Sequence, residues 1–191
     1  ATSRARVGRM TGYTPYHAMY LAHRITLAGL GEDSFAKSLS TARVDMKPHQ
    51  VEAALFALQS PLSKGVILAD EVGLGKTIEA SLVIAQRWAE RRRHVLLVVP
   101  ASLRKQWAQE LHEKFSLPSR ILDAKTHRDL IKEGTARPFF TADEIVIASY
   151  EFAARRAADI TTVPWDLVIF DEAHRLRNVY KETGSARAKQ L

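Results

Sequence analysis

Residues 70 to 77 read Asp-Glu-Val-Gly-Leu-Gly-Lys-Thr, between the apolar run Val66 to Ala69 and an amphipathic stretch that begins at Ile78. This pattern predicts a strand, a glycine-rich turn and a helix, the arrangement that holds a nucleoside triphosphate. Backbone N–H groups of such a turn point at phosphate oxygens, and the helix N-terminus adds the positive end of its dipole. Gly73 and Gly75 let the backbone take positive φ and approach the phosphates closely. Lys76 can reach the β and γ phosphates, and the Thr77 hydroxyl can ligate Mg²⁺. Asp70, Gly73, Leu74, Gly75, Lys76, Thr77 and Ile78 are therefore the expected nucleotide-binding residues. Asp70 departs from the general pattern G-x-x-x-x-G-K-[ST], which begins with glycine.

On the C-terminal side, short apolar runs alternate with helical stretches. Strands are predicted at Gly65–Ala69, Val95–Val99, Arg120–Leu122, Ile145–Ala148 and Leu167–Phe170. Helices are predicted at Lys76–Arg92, Ser102–Phe115, Lys125–Glu133 and from Tyr150 to Ala158. Strands without polar alternation, separated by helices, imply an α/β fold with a parallel sheet covered on both faces. On the N-terminal side, residues 1 to 13 read as a lead-in. Thr14-Pro15 opens a helix to about Ala28, Asp33 or Ser34 caps a second to about Thr41, and Lys47-Pro48 opens a third. The expected division is an N-terminal helical extension over 1–45 and a nucleotide-binding domain over 46–191.

A phosphate loop leaves metal and water unplaced. Leu167-Val168-Ile169-Phe170-Asp171-Glu172-Ala173-His174 supplies the second half of the site. An apolar strand ends there in two carboxylates, at the strand edge where open α/β sheets bind ligands. Asp171 is placed to hold Mg²⁺ and Glu172 to orient or deprotonate the attacking water. Phosphoryl transfer needs both, because it is mostly positioning and charge neutralisation. Lys76, Asp171 and Glu172 are the expected catalytic residues, and Thr77 and Asp171 the metal ligands. The plainer reading, that the two carboxylates only cap a helix, ignores the phosphate loop upstream.

The chain has 191 residues, a 46% hydrophobic content and a net charge of +7. These suit a folded domain and are compatible with a nucleic-acid partner. No apolar run approaches the roughly 20 residues of a membrane span, and no secretory signal is seen, so no membrane association is expected. There is no cysteine, which excludes disulfides and fits a cytoplasmic setting.

With both halves in place, the chain resembles the Swi/Snf-type ATPases of helicase superfamily two, particularly the RapA-like bacterial branch. Asp-Glu-x-Gly-Leu-Gly-Lys-Thr, with Asp70 in the glycine position, resembles their first motif. Lys47-Pro48-His49-Gln50 resembles the upstream motif whose glutamine reads adenine. The segment from Val98 to Trp107 (Val-Val-Pro-Ala-Ser-Leu-Arg-Lys-Gln-Trp) resembles motif Ia, which touches DNA, and Ala148-Ser149-Tyr150-Glu151 resembles motif Ib. The run Asp171 to Asn178 resembles motif II, whose letters also spell a DEAH box. The resemblance implies a RecA-like fold, ATP and Mg²⁺ as cofactors, and movement along double-stranded DNA. It makes Gln50 an adenine contact and Ser102, Leu103, Gln106, Ser149 and Tyr150 candidate DNA contacts.

Smaller signals have two readings each. Gln50 is either an ordinary helix-start residue or the adenine reader, and its position before the loop favours the second. Trp107 shares a helix face with Leu103 and Leu111, which favours core packing over base stacking. Ser102 can cap its helix and contact phosphate at once. Arg91, Arg92 and Arg93 read as a solvated helix end, where cations are favourable. Arg175 and Arg177 read as structural or coupling residues, and His174 as a bridge to elements beyond the chain. The histidines do not cluster into a zinc site.

The resemblance also implies a further strand between the phosphate-loop strand and the Asp-Glu strand, and a second RecA-like lobe that supplies an arginine. Neither is found in these residues, and Tyr180 to Leu191 reads as a linker or cut end. The expectation is thus the ATP-binding half of a DNA-dependent motor, truncated after motif II, with a displaced protein as a further partner. The alternatives are a nucleotide-dependent binding module without motor activity and the helicase subunit of a restriction or phage-defence system.

Overall fold

The structure is a computed structural model that describes residue 42 and residues 47–59, 65–69 and 75–176. The two helices expected before residue 42 lie outside the described residues, as do Asp70, Gly73 and Leu74. Described helices are α1 (Pro48–Gln59), α2 (Lys76–Ala89), α3 (Arg104–Phe115), α4 (Ala124–Lys132), α5 (Tyr150–Arg155) and α6 (Ala157–Thr161). The strands are β1 (Val95–Val99), β2 (Ser119–Ile121), β3 (Ile145–Ser149) and β4 (Leu167–Phe170). A 3-10 turn, Ala173–Leu176, follows β4.

The strands form one parallel sheet in the order β2-β3-β1-β4. Residues of β1 and β3 are buried without exception, as continuous apolar runs require when both faces are covered. Side chains alternate between two cores. Val95, Leu97, Val99, Ile145 and Ile147 pack with Ala54, Leu82, Ile84, Trp107 and Leu111, under α1, α2 and α3. Leu96, Val98, Val146 and Ala148 pack with Leu122, Phe139, Tyr150, Phe152 and Val163 on the other side. Ala42 packs against the first core.

Register aligns the strand ends. Val99 pairs with Ser149, and Val98 pairs with both Ala148 and Phe170. The Asp171 N–H donates to the Val98 carbonyl at 2.9 Å and extends the ladder by one residue. At the opposite edge Asp166 clips β4 to β1. Its carboxylate accepts from the His94 N–H at 3.0 Å, and its own N–H donates to the His94 carbonyl at 2.9 Å.

The expected strand Gly65–Ala69 is not a strand. The segment joins no ladder, and Ile67 is 88% exposed. Apolar side chains alone do not make a strand; its N–H and C=O groups need ladder partners, and this segment makes no ladder with the described strands. Among the described residues the sheet ends at β4.

Other boundaries move for local reasons. α2 stops at Ala89, short of Arg92, because Arg91 adopts φ 65°. The Arg92 N–H then donates to the Arg87 carbonyl and the Arg91 N–H to the Trp88 carbonyl, a Schellman closure with arginine where glycine is usual. Arg93 lies 4.9 Å over the Trp88 ring. The helix expected from Tyr150 to Ala158 breaks at Arg156 into α5 and α6. Ser102 does not cap α3. The helix starts at Arg104 behind a turn in which the Leu103 N–H donates to the Pro100 carbonyl.

Asp123 caps α4, accepting from the Lys125 and Thr126 N–H groups at 3.0 and 2.9 Å. Arg104 of α3 stands 3.8 Å away. The Thr126 N–H, opposed by burial and helped by the Lys125 N–H and Arg104, holds the Asp123 carboxyl below its ordinary 3.8. A carboxyl with a lowered folded pKa stabilises the fold above its unfolded value and loses that contribution as pH falls through the folded one. Asp123→Ala is expected to lower stability in urea at neutral pH by about 1 kcal/mol. The gap to the unsubstituted chain should narrow below pH 3.8. Equal urea midpoints at neutral pH would refute the cap.

Candidate functional site

Parallel strands put all their C-terminal ends on one sheet edge, and the functional candidates gather there. α3 follows β1, α5 follows β3, and Asp171 follows β4. α2, the helix that follows the phosphate loop in sequence, packs against β4, α1 and α3.

Gly75 opens α2 with φ 95° and ψ 34°, a left-handed conformation. A Cβ at this position would overlap the Gln50 side-chain amide. Glycine is thus favoured by the backbone angle, and a Cβ would require the Gln50 amide to shift. The Ile78 and Glu79 N–H groups both donate to the Gly75 carbonyl, at 2.7 and 3.2 Å. Lys76 and Thr77 occupy the first turn of α2 and are half-buried. Ile78 and Gln50 are buried.

Gln50 does serve the start of its helix. Its Oε1 accepts from the Lys47 N–H at 3.0 Å, so the third helical residue caps the residue before the helix, half of a capping box. That bond fixes the amide, and its Nε2 faces Gly75.

Asp171 is held from both layers. Its Oδ2 accepts from the Trp107 Nε1–H at 2.8 Å. Its Oδ1 accepts from the Glu172 N–H at 2.9 Å. Its carbonyl accepts from the Tyr150 hydroxyl at 2.7 Å. Trp107 belongs to the core under α1, α2 and α3, and Tyr150 to the opposite core. Glu172 takes φ 54°, a left-handed conformation uncommon outside glycine, asparagine and aspartate that costs on the order of 1–3 kcal/mol. The side chain emerges half-exposed, with Oε2 3.0 Å from the His174 Nδ1. His174 therefore meets Glu172 directly.

The candidate DNA contacts divide. Ser102 and Gln106 are exposed and Leu103 is half-buried at the start of α3. Gln106 donates to Glu110 at 2.9 Å. Ser149 and Tyr150 are buried instead. Ser149 Oγ caps α5 by accepting from the Phe152 N–H at 3.2 Å, and the Tyr150 hydroxyl is directed to Asp171. In this structure both serve the frame of the site, because their polar atoms are turned inward. Arg175 lies in the 3-10 turn, while Arg177 and Asn178 lie outside the described residues.

The donor set suits a magnesium nucleotide. Mg²⁺ is commonly bound by one or two carboxylates with phosphates and water, not by an all-protein cage. Among the described residues no group of three or more His, Cys, Asp or Glu could hold a metal ion. An oriented carboxylate such as Asp171 and a helix-start hydroxyl such as Thr77 are of the donor types that a phosphate-bound Mg²⁺ takes. Elsewhere, a cavity of about 530 Å³ between α4, α6 and residues 136–139 includes Arg128, Arg137, Arg156 and His127. Burial, helped by the Arg156 charge and opposed by Asp159, pushes the His127 imidazole below its usual pKa. That cavity is distinct from the strand edge. Among the described residues no helix is long and apolar enough to cross a membrane.

The family model for the SNF2-related domain matches residues 49 to 191. The RNA polymerase-associated protein RapA of Yersinia pseudotuberculosis serotype O:1b (strain IP 31758) is 37% identical over 153 residues. That of Serratia proteamaculans (strain 568) is also 37% identical over 153 residues. Each match covers 78% of this chain and 15% of the relative, so the chain spans a small part of their length. Among solved structures, the Sulfolobus solfataricus SWI2/SNF2 ATPase core in complex with dsDNA aligns with a TM-score of 0.61 and 21% identity. The alignment covers 73% of this chain and 28% of that one. The shared architecture is the parallel sheet flanked by helices.

The packing of Gly75 against Gln50 has a measurable consequence. Gly75→Ala is expected to destabilise the chain by about 1–3 kcal/mol. In a Gln50→Ala background the same substitution should cost less, since the overlap is gone and only the backbone strain remains. Additive urea midpoints across the four proteins would contradict this contact.

Proposed function

The chain belongs to the SNF2-related domain family, and from that premise we propose that it is the ATP-binding lobe of a DNA-dependent ATPase motor that moves on double-stranded DNA. The observation that carries this reading is the Asp171-Glu172 pair, at the end of the strand that packs against the helix beginning with Lys76 and Thr77, with Asp171 oriented by three hydrogen bonds. A cap or a structural turn has no need of a carboxylate held on both oxygens beside a strained, half-exposed glutamate.

In this proposal Asp70, Gly73, Leu74, Gly75, Lys76, Thr77 and Ile78 bind the nucleotide, and the amide of Gln50 meets the adenine. Lys76 places its ammonium on the β and γ phosphates. Thr77 and Asp171 would hold Mg²⁺, which would supply neutralisation of phosphate charge. Glu172 orients a water for attack and accepts its proton, and His174, beside it, limits its rotamers. Ser102, Leu103 and Gln106 present the start of α3 to a DNA strand, with N–H groups and dipole suited to phosphate. The net charge of +7 favours that approach.

The division into a helical extension over 1–45 and a helicase-type ATP-binding domain over 46–191 is part of the same proposal, as is a cytoplasmic setting. A second RecA-like lobe completes the site across a cleft. A DNA-bound protein assembly is the proposed target of the motor, because the curated relatives are named as RNA polymerase-associated proteins. The 191-residue chain alone is expected to bind ATP weakly and to turn it over slowly or not at all. Rapid DNA-stimulated turnover by it would overturn the two-lobe reading.

In the protein that contains both lobes, Lys76→Ala is expected to abolish ATP binding. Glu172→Gln should retain binding and reduce turnover by about 100-fold or more. Equilibrium binding of a fluorescent ATP analogue and phosphate release, each with and without duplex DNA, measure these separately. Normal turnover by Glu172→Gln would remove the water-activating role from that residue.

A further inference from the structure

Asp171 is the carboxylate proposed above as a metal ligand, yet its orientation is set largely by a residue of another element. Each carboxylate oxygen accepts one hydrogen bond, Oδ1 from its neighbour's N–H and Oδ2 from the Trp107 indole. A carboxylate oxygen has two acceptor directions, so each keeps one for a cation or its water. The Trp107 bond has an ionised acceptor and a buried donor, since Trp107 is 3% exposed, conditions that strengthen a hydrogen bond and sharpen its geometry.

Trp107 is also tied to the surface. It follows Gln106 directly, and its N–H donates to the Leu103 carbonyl at 2.9 Å. The turn ahead of it is closed by Arg104, whose Nε donates to the Ala101 carbonyl at 3.1 Å. The exposed residues Ala101, Ser102, Lys105 and Gln106 thus share one rigid turn with the indole that grips Asp171. Displacement of that turn moves the Nε1–H against the carboxylate.

We propose that Trp107 is a positioning residue for cation binding at Asp171, and the link by which a polyanion held at residues 101–106 acts on the nucleotide site. This rests on the reading of Asp171 as a metal ligand, and its test separates the two. Mn²⁺ serves as the probe, with ADP and the full chain. Free Mn²⁺ is measured by its electron paramagnetic resonance signal, and the tryptophan indole N–H groups are followed by ¹H–¹⁵N NMR. Trp88→Phe and Trp165→Phe assign the remaining indole signal to Trp107.

The expected result has three parts. Mn²⁺ with ADP selectively broadens the Trp107 indole signal. Trp107→Phe, which keeps an aromatic ring and removes the donor, weakens Mn²⁺ binding about 10- to 100-fold, as loss of an outer-shell partner does, while ADP affinity in EDTA is unchanged. A short DNA duplex alters Mn²⁺ affinity in the unsubstituted chain and much less in Trp107→Phe. Unchanged Mn²⁺ affinity in Trp107→Phe, alongside its loss in Asp171→Asn, overturns the positioning role and leaves the metal site standing. Unchanged affinity in Asp171→Asn overturns the metal site and this inference together. A duplex without effect on the unsubstituted chain overturns the link. Should Trp107→Phe fail to fold, the broadening in the unsubstituted chain and its absence in Asp171→Asn still decide whether the cation sits beside the indole.

Discussion

The register of β1 against β3 and β4 is the constraint on which the site depends. Val98 lies between Ala148 and Phe170, so the chain leaves the sheet at Val99, Ser149 and Phe170 on one level. A slip of one residue in β4 would turn its side chains to the opposite faces. It would also carry Asp171 off the level at which Trp107 and Tyr150 reach it. The ladder is continued by the Asp171 N–H itself, and the Asp166 clip fixes the same register at the far edge. The functional carboxylate is therefore part of the sheet's hydrogen bonding, and loosening one loosens the other.

Two backbone positions at the site are left-handed, and they differ in kind. At Gly75 the sequence supplies the residue that takes φ 95° without a Cβ penalty. At Glu172 a glutamate holds φ 54°, where glycine would be easier. Glycine there would have no carboxylate. The strain is held by neighbours: the Glu172 N–H is engaged by Asp171 Oδ1, and the Asp171 carbonyl by Tyr150. Strain of this kind persists where surroundings over-determine it and concentrates at functional positions.

Much of this was legible in the sequence. Val95–Val99 and Leu167–Phe170 were readable to the residue, because each is an unbroken apolar run ended by a proline or a carboxylate, although only the first is buried throughout. The SNF2-type resemblance, carried by the phosphate loop, the Gln50 segment and the Asp171 segment, agrees with the family match. What stayed hidden depended on partners rather than on pattern. Residues 65–69 have the composition of a strand but make no ladder with the described strands. Arg91 ends α2 through a conformation that its side chain does not announce. Trp107 was readable as core from its spacing with Leu103 and Leu111, yet nothing in that spacing reveals where the indole N–H points. The one available signal was chemical: a buried tryptophan needs an acceptor, but the sequence does not say which, and Trp165 finds a backbone carbonyl instead.

Ser149 and Tyr150 show how buried polar side chains tie a short segment to the site. Their burial follows from position, since they complete β3 and begin α5 beneath Phe170, whose ring lies 6.3 Å from that of Tyr150. A hydroxyl in that place must find a partner or lose the free energy of an unmet hydrogen bond. Ser149 meets the requirement with a helix N–H and Tyr150 with the carbonyl of Asp171. Each exchange ties α5 to the strand edge, so a force on this segment is delivered to Asp171 from the face opposite Trp107. The site is consequently sensitive to both layers of the fold, and a change in the packing of either α3 or α5 bears on the same carboxylate.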